Sequence, residues 1–296
     1  MRVLKIDNIS KSYGKNQALD RLSLNIEKTN IFGILGPNGS GKTTILAIIL
    51  GVVKQNSGNF QWFDNQENTQ LTERIGALLE MPNFYPYLSL YKNLRISAEI
   101  KKIENPDEEI EKVLNEVGLI ERQYSKYNTL SLGMKQRLAL ASVLLGNPEI
   151  LILDEPTNGL DPKGIADVRE ILIDQAKKGK TIIIASHILD EVQKTCSHIA
   201  ILKKGKLLKL GRIDEILKSE KTITISSDNI DELYELIVRS GLSKKTIKIN
   251  NELIITLEDK IQAKDINEFA FKNNFILNKF EERKISLESE FLKIVD

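Results

Sequence analysis

Short apolar runs that end in Gly, Asp or Ser alternate along the chain with segments of helical periodicity. Four of these runs predict strands: NIFGILG (30–36), EILILDE (149–155), KTIIIASH (180–187) and HIAILKKGK (198–206). The first three are continuously apolar, which is typical of strands buried on both faces. Because strands and helices alternate, we predict a parallel α/β sheet.

Two further patterns surround these runs. Between residues 2 and 27, polar and apolar positions alternate around Gly14, which predicts antiparallel strands at one edge of the sheet. Residues 86–145 are mostly helical in pattern and predict an insertion between sheet strands. Within the insertion, Asn105 or Asp107 is a helix-start signal and Gly118 lies near that helix's end. Apolar residues between 130 and 145 recur at helical spacing and predict a helix that begins just after Gly133.

The composition changes near Leu217, and we place a domain boundary there, between residues 1–216 and 217–296. The second part predicts strands at 221–226, 245–250, 252–257 and 275–281, and helices at 229–240 and 261–273. Asn250 and Asn251 lie between two alternating runs and form a tight-turn signal. The order β-α-β-β-α-β predicts a small α+β, ferredoxin-like domain. A last short helix is predicted in SLESEFLKIV (286–295).

Charge and cysteine content limit the kinds of partner and the cellular compartment that the sequence allows. The chain has 296 residues and a net charge of +1, and its last 80 residues hold 13 basic and 15 acidic side chains. Neither part has the excess of basic side chains that nucleic-acid binding usually needs, so we expect no nucleic-acid partner. The single Cys196 excludes an internal disulfide and fits a reducing cytoplasm. The apolar stretch ILAIILGVV is far shorter than a membrane span, so we expect any membrane role to come through a partner.

A phosphate-binding loop follows the first predicted buried strand. GPNGSGKTT fits G-x-x-x-x-G-K-[ST] at Gly36, Gly41, Lys42 and Thr43, between a strand and a helix. Glycines let successive backbone N–H groups face a phosphate, while Lys42 supplies a cation to the β/γ-phosphates. The Thr43 hydroxyl would reach Mg²⁺. The sequence therefore predicts a nucleotide site.

Two carboxylates end the second buried strand, in ILILDEP. Asp154 lies at the carboxyl end of that strand, where open α/β sheets bind ligands, and we expect it to hold Mg²⁺. The next side chain, Glu155, faces away from the metal position. It can therefore act as the general base for an attacking water. Ser131 and Gly133 lie between the phosphate loop and these carboxylates in the sequence. They stand at a helix start, where backbone N–H groups can bind an anion. Taken alone, that Ser is an ordinary helix cap.

The combination of GPNGSGKTT, LSLGMKQR, LILDEPTNGLD and ASH, in this order, resembles the ATP-binding subunit of ATP-binding-cassette (ABC) transporters. The resemblance covers residues 1–216 and implies a P-loop ATPase domain: parallel sheet, antiparallel edge subdomain and helical insertion. It implies that two copies face each other head to tail and enclose two ATP molecules. Ser131 and Gly133 would then contact the γ-phosphate held by the other copy. Leu132 stands where the family usually has Gly.

Other residues take their roles from the resemblance alone. Tyr13 matches the aromatic that stacks on adenine, although by itself it is an ordinary edge-strand residue. Asp161 matches the loop that contacts the opposite subunit, and His187 matches the histidine that contacts the γ-phosphate. Glu80 replaces the usual Gln and becomes a third metal ligand beside Thr43 and Asp154. The predicted catalytic residues are Lys42, Glu155 and His187, and the predicted nucleotide-binding residues are Tyr13, Gly36, Pro37, Asn38, Gly39, Ser40, Gly41, Lys42, Thr43, Thr44, Ser131, Gly133 and Asp161.

Glu80, the following FYPYLS and the tail RKISLESEFLKIV resemble the bacterial subgroup that exports bacitracin-like and lantibiotic peptides. This implies integral membrane permease subunits as partners. The cluster of Phe84, Tyr85, Pro86 and Tyr87 would dock one of their helices, and ordinary core packing is the alternative for this cluster. The subunit would then lie on the inner face of the cell membrane. Export of another drug or lipid, or a non-transport regulatory ATPase, are the alternatives. The sequence has one phosphate loop and no Asn-Lys-x-Asp motif, which argues against a two-cassette ribosomal factor and a P-loop GTPase.

Overall fold

The computed structural model describes residues 2–28, 31–63, 71–79, 82–217, 222–258, 260–283, 287–288 and 291. They form two compact units: the residues up to Ile213 together with Phe291 form the first, and the residues from Asp214 to Glu288 form the second. The strands of the first unit are β1 (Arg2–Tyr13), β2 (Asn16–Glu27), β3 (Ile31–Leu35), β4 (Ser57–Trp62), β5 (Ile75–Leu78), β6 (Ile150–Asp154), β7 (Thr181–Ser186), β8 (His198–Lys203) and β9 (Lys206–Arg212). The helices up to the boundary between the units are α1 (Lys42–Ile49), α2 (Leu71–Arg74), α3 (Leu90–Ile100), α4 (Pro106–Glu116), α5 (Leu132–Leu144), α6 (Pro162–Lys177), α7 (Leu189–Thr195) and α8 (Ile213–Ile216).

A six-stranded sheet with the order β5-β6-β7-β3-β8-β9 forms the centre of the first unit. All its pairs are parallel except β8 with β9. Strands β3 and β7 are buried along their whole length, and β6 is buried up to its last residue. The prediction of a parallel sheet with three fully buried strands is therefore confirmed. Helices α3, α4 and α5 occupy the predicted insertion.

The predicted antiparallel strands form, and they belong to a sheet of their own. Strands β1 and β2 pair on either side of Gly14, and β4 pairs with the other edge of β1. Residues Leu4 and Leu22 of this sheet share one buried core with Ile34 and Ile152 of the parallel sheet and with α1. The two sheets therefore pack through a common apolar core.

The segment predicted as one strand over 198–206 is a strand for its first six residues and then turns. Strand β8 ends at Lys203, and β9 returns antiparallel to it from Lys206. Lys204 and Gly205 both have positive φ, 47° and 76°. Two such residues in a row produce the tight turn whose twist suits a hairpin, so the chain reverses before the predicted end of the strand.

The second unit contains β10 (Thr222–Ser227), α9 (Ile230–Ser240), β11 (Ser243–Ile249), β12 (Glu252–Leu257), α10 (Ala263–Lys272) and β13 (Leu277–Arg283). This is the element order predicted from the sequence. The strands form one antiparallel sheet with the order β11-β12-β10-β13. Ile223 and Ile255 of the sheet share a core with Leu233 and Ile266 of the helices. The helix predicted over 286–295 lies largely outside the described residues.

Helix α7 packs on the strand that leads to the phosphate loop. A Cβ atom at Gly33 of β3 would lie 3.0 Å from Val192 Cγ1 and 3.1 Å from Cys196 Sγ, so glycine permits the close approach. Burial raises the pKa of the Cys196 thiol to about 12. None of the described helices combines the length and the apolar character that crossing a membrane requires.

Candidate functional site

The phosphate loop runs from the end of β3 into α1, as predicted. Gly41, the residue before α1, has φ 105°, a left-handed conformation that glycine adopts without strain. A Cβ atom at this position would also lie 2.6 Å from the carbonyl oxygen of Ala18 on β2. The loop is thus held between the sheet and the β1–β2 hairpin, and its backbone turns into the N-terminus of α1.

Lys42 is buried within this loop, with 6% of its side chain exposed. Its Nζ donates hydrogen bonds to the carbonyl oxygens of Gly36, at 2.8 Å, and Pro37, at 3.4 Å. The same nitrogen lies 3.4 Å from Glu155 Oε1. A buried ammonium group held by its own loop is placed to meet an anion that enters the loop.

Glu155 lies between Lys42 and His187. Its Oε2 is 2.8 Å from Nδ1 of His187 and accepts a longer bond, 3.4 Å, from the backbone N–H of His187. The backbone of Glu155 has φ 47°, which is uncommon for a side chain other than glycine, and its N–H donates to the carbonyl of Ala185. Three residues predicted as catalytic from separate motifs therefore meet at one point.

Asp154 ends β6 beside the phosphate loop. Its Oδ1 atom is buried and has no hydrogen-bond partner among the described residues. Burial raises the pKa of this carboxyl group, and a hydrogen bond from the Thr43 side chain opposes that rise. An unpartnered carboxylate oxygen beside a hydroxyl suits a hard cation such as Mg²⁺. The described residues contain no group of three or more His, Cys, Asp or Glu that could hold a metal.

Asp154→Asn is expected to raise the midpoint of thermal unfolding of the nucleotide-free, metal-free protein near neutral pH. Folding raises the pKa of Asp154, so the folded state loses stability as the pH climbs above the ordinary aspartate range and the unfolded chain ionises first. The neutral amide removes that cost, and the difference should shrink as the pH falls. Differential scanning calorimetry at several pH values measures this, and a variant that melts well below wild type at neutral pH contradicts it.

A second cluster lies around the N-terminus of α5. Helix α5 begins at Leu132, and Ser131 is its N-cap, with the Ser131 Oγ accepting from the N–H of Met134 at 3.3 Å. The predicted start just after Gly133 is therefore wrong by two residues. The reason is the cap: Ser131 is extended and supplies the first acceptor, whereas the apolar periodicity becomes regular only later in the helix. Ser131 remains exposed.

The N-terminus of α6 lies beside that of α5. Asp161 caps α6, its Oδ1 accepting from the N–H of Gly164 at 2.9 Å. A Cβ atom at Gly133 would lie 3.8 Å from the Cα of Gly164, so the two helix starts are in close approach. They line one groove of about 400 Å³, together with Leu132, which is 51% exposed. Two helix N-termini in one groove favour a negative charge there.

Tyr13 ends β1 and is 49% exposed, with the Lys11 ammonium 5.1 Å from its ring centroid. It pairs with Asn16 at the start of the strand that contacts the phosphate loop through Ala18. His198, which matches no motif, lies 3.0 Å from the Ser197 hydroxyl. Glu80 lies outside the described residues.

Comparison with known proteins places this geometry in a family. The family model described as ABC transporter matches residues 19–158. The bacitracin transport ATP-binding protein BcrA of Bacillus licheniformis is 34% identical over 99% of the chain and 97% of its own length. The chain belongs to the ABC transporter ATP-binding proteins. The lantibiotic transport ATP-binding protein SrtF of Streptococcus pyogenes is 38% identical over 78% of this ABC subunit and 96% of its own length.

A solved structure extends the comparison to the fold of the ABC subunit. It is a dimeric post-hydrolysis state of an ATP-binding cassette bound to ADP and phosphate, with a TM-score of 0.61 and 28% identity. The match covers 71% of the present chain and 98% of the cassette. The predicted ABC ATPase fold and the classification as an ATP-binding, ATP-hydrolysing transporter subunit are therefore confirmed.

Sequence reasoning missed one buried polar residue of the ABC subunit, Asn93 in α3. It is 2% exposed and accepts from the N–H of Tyr85 at 2.8 Å, while its Nδ2 donates to the carbonyls of Tyr85 and Ser89 at 3.2 and 3.0 Å. The loop it holds carries Tyr87, which is 66% exposed. A polar position on the otherwise buried face of α3 is the signal that identifies such a residue.

Proposed function

We propose that this ABC subunit powers the export of a cell-wall-directed antimicrobial peptide, such as bacitracin or a lantibiotic, through separate integral membrane permease subunits. The names of BcrA and SrtF support this choice. In this proposal the chain works at the inner face of the cell membrane, held there by the permeases. Export of another drug or lipid, or regulation without transport, are the competing outcomes of the test below.

One observation carries the proposed mechanism: the candidate site is in two separate halves. The phosphate loop, Asp154, Glu155 and His187 form one half. The groove at Ser131, Gly133 and Asp161 forms the other, and among the described residues its lining includes none from the phosphate loop. An anion-binding groove that is exposed on the surface can complete the phosphate site of a second copy. We infer a head-to-tail dimer that encloses two ATP molecules.

Within each completed site, the residues have distinct tasks. Lys42 binds the β- and γ-phosphates, and the backbone of the surrounding loop binds them through N–H groups. Thr43, Asp154 and, in this proposal, Glu80 would hold Mg²⁺, which would neutralise phosphate charge. Glu155 orients the attacking water and accepts its proton. The neighbouring His187 positions the γ-phosphate. Positioning and charge neutralisation supply most of the catalysis.

The dimer would open after hydrolysis. Ser131 and Gly133 of one copy and Lys42 of the other both contact the γ-phosphate, so cleavage of that group removes the link between the two surfaces. A ligand shifts an equilibrium only through its different affinity for the two states, and ATP has that property here while ADP does not. The permeases would convert opening and closing into movement of the peptide.

Co-purification and resistance test the proposal together. The tagged chain is purified from detergent-solubilised cell membranes together with any integral membrane proteins that bind it, and the survival of the cells in bacitracin and in a lantibiotic is measured. We expect the chain to co-purify with these proteins and to raise survival, and we expect Glu155→Gln to abolish the protection. A purely soluble pool with no effect on survival favours the regulatory alternative. Co-purification without peptide resistance favours export of another substrate.

The loop that contains Phe84, Tyr85 and Tyr87, here called the aromatic loop, is held by hydrogen bonds to Asn93. We propose this loop as the surface that contacts the permease. Asn93→Leu leaves the N–H and carbonyl of Tyr85 without partners, which should lower the free energy of unfolding by about 1–3 kcal/mol. We expect the ATPase rate of the isolated protein to stay within about twofold, because Lys42, Glu155 and His187 are unchanged, and resistance in cells to be lost. Chemical denaturation, phosphate release and survival assays measure the three quantities.

The matched control is Asn115→Leu, which makes the same substitution at an exposed position of α4. It should leave unfolding free energy, ATPase rate and resistance unchanged. Full resistance in cells carrying Asn93→Leu would remove the aromatic loop from the permease contact.

A further inference from the structure

Helices α6 and α7 are joined by an ion pair that no motif identifies. Nη1 of Arg169 lies 2.9 Å from Oε2 and 3.1 Å from Oε1 of Glu191. The two side chains are 25% and 14% exposed. By contrast, the surface pair Arg239–Glu235 is 78% and 66% exposed. Water screens the inner pair less, so it holds the two helices together more firmly than an exposed pair can.

On one side, the pair fixes the helix that follows His187. Helix α7 begins two residues after His187, and the intervening Ile188 donates its N–H to the Ser186 hydroxyl at 3.0 Å. Val192, one residue after Glu191, is buried against Gly33 of the strand that leads to the phosphate loop. A shift of α7 is therefore transmitted to His187 through a connection of one residue, Ile188.

On the other side, the pair fixes the helix that begins at the exposed groove. Arg169 lies two turns into α6, whose cap Asp161 and first-turn Gly164 line the groove proposed to receive the second copy. A small cavity adjoins the pair, and its lining includes Pro156 and Thr157, which follow Glu155 directly. The ion pair thus borders all three segments: the groove helix, the helix after His187, and the chain after Glu155.

We propose that the Arg169–Glu191 ion pair is a positioning element that couples the groove at Asp161 to the contact between His187 and Glu155. Docking of the second copy against the N-terminus of α6 then sets His187 for catalysis through the pair. Neither residue of the pair contacts Glu155 or Lys42 in a hydrogen bond or ion pair among the described residues, so both act through α7. The inference rests on the proposed roles of Asp161 and His187.

Steady-state ATPase kinetics of Arg169→Met and Glu191→Gln test this coupling. Misplacement of a catalytic group by about 1 Å costs up to about 100-fold in rate, so we expect kcat to fall about 10- to 100-fold. The KM for ATP should change by less than about threefold, because the phosphate loop and Tyr13 are untouched. Arg169→Lys, which keeps the charge, should retain a rate within about threefold of wild type.

Arg74→Met is the matched control. Arg74 has the same 25% exposure and holds Glu149 through two bonds of 3.0 Å, yet it lies before β5, at the opposite end of the strand from Leu78. It should lower thermal stability without lowering kcat. The reversed pair Arg169→Glu/Glu191→Arg should recover at least about a third of the rate that the single substitutions lose.

The outcomes separate this inference from the proposed function. Wild-type kcat in folded Arg169→Met overturns the coupling and leaves the assignment of Glu155 and His187 intact. A fall in kcat that Arg74→Met reproduces equally also overturns it, since general stability then explains the loss. If Glu155→Gln hydrolyses ATP at the wild-type rate, the proposed site fails regardless of the ion pair.

Discussion

Glu155→Gln is expected to hydrolyse ATP at least about 100-fold more slowly than wild type while binding it at least as tightly. Glutamine keeps the size of the side chain and can still contact His187, but it cannot accept a proton from water, and general bases contribute about 100- to 10,000-fold. In the nucleotide-free protein, Glu155 also holds Lys42 at 3.4 Å. A neutral side chain releases that ammonium to the phosphates. Phosphate release and isothermal titration with ATP measure the two effects.

The same substitution should make the dimer visible. In the proposed dimer, ATP joins the two surfaces until it is hydrolysed, so a variant that cannot hydrolyse it should accumulate as a dimer in Mg-ATP and remain monomeric in Mg-ADP. Size-exclusion chromatography with light scattering distinguishes the two states. Glu149→Gln, at an exposed carboxylate paired with Arg74, is the control and should keep the wild-type rate. A monomer in saturating Mg-ATP, alone and with the permeases, contradicts the two-copy mechanism.

Lys42→Ala is expected to lose both hydrolysis and nucleotide affinity, which separates it from Glu155→Gln. The variant removes the one buried ammonium of the loop, and charge-assisted bonds to phosphate are among the strongest available to a protein. We expect ATP affinity to fall at least about tenfold and kcat to fall at least about 100-fold. Fluorescence binding with a labelled ATP analogue and phosphate release measure these changes.

A general loss of positive charge does not explain such a result if the control behaves as expected. Lys15→Ala removes an exposed ammonium at the tip of the β1–β2 hairpin, and should leave affinity and rate within about twofold. Unchanged ATP affinity in Lys42→Ala would mean that the loop binds phosphate through its backbone alone, and that Lys42 has another role.

The phosphate loop and the end of β6 could be predicted because their chemistry is written in consecutive residues. Gly36 to Thr43 contain the turn glycines, the cation and the hydroxyl, and Asp154 follows directly on an apolar run. The buried strands were predictable because each is a run of consecutive apolar residues. The α+β unit after Asp214 was predictable too, since each of its elements has a clear period and a turn residue between neighbours.

The features that the sequence did not reveal depend on distant partners or on single backbone angles. Strand β4 pairs with β1 because Gly58 lets the chain approach Asn8, an approach that only the fold creates. The positive φ of Glu155 and the turn at Lys204 likewise have no periodic signature. The shared groove joins helix starts about thirty residues apart, and the Arg169–Glu191 pair joins helices separated by a strand.

The position of Cys196 has a practical consequence for watching the two copies move. It is the single cysteine of the sequence, it is buried against β3, and its pKa near 12 leaves almost no thiolate at neutral pH. Maleimide reagents should therefore not react with Cys196 in the folded protein. Spectroscopic probes can be attached at engineered surface thiols with the natural cysteine left in place. Distances between the two copies of the proposed dimer can then be measured without disturbing the core.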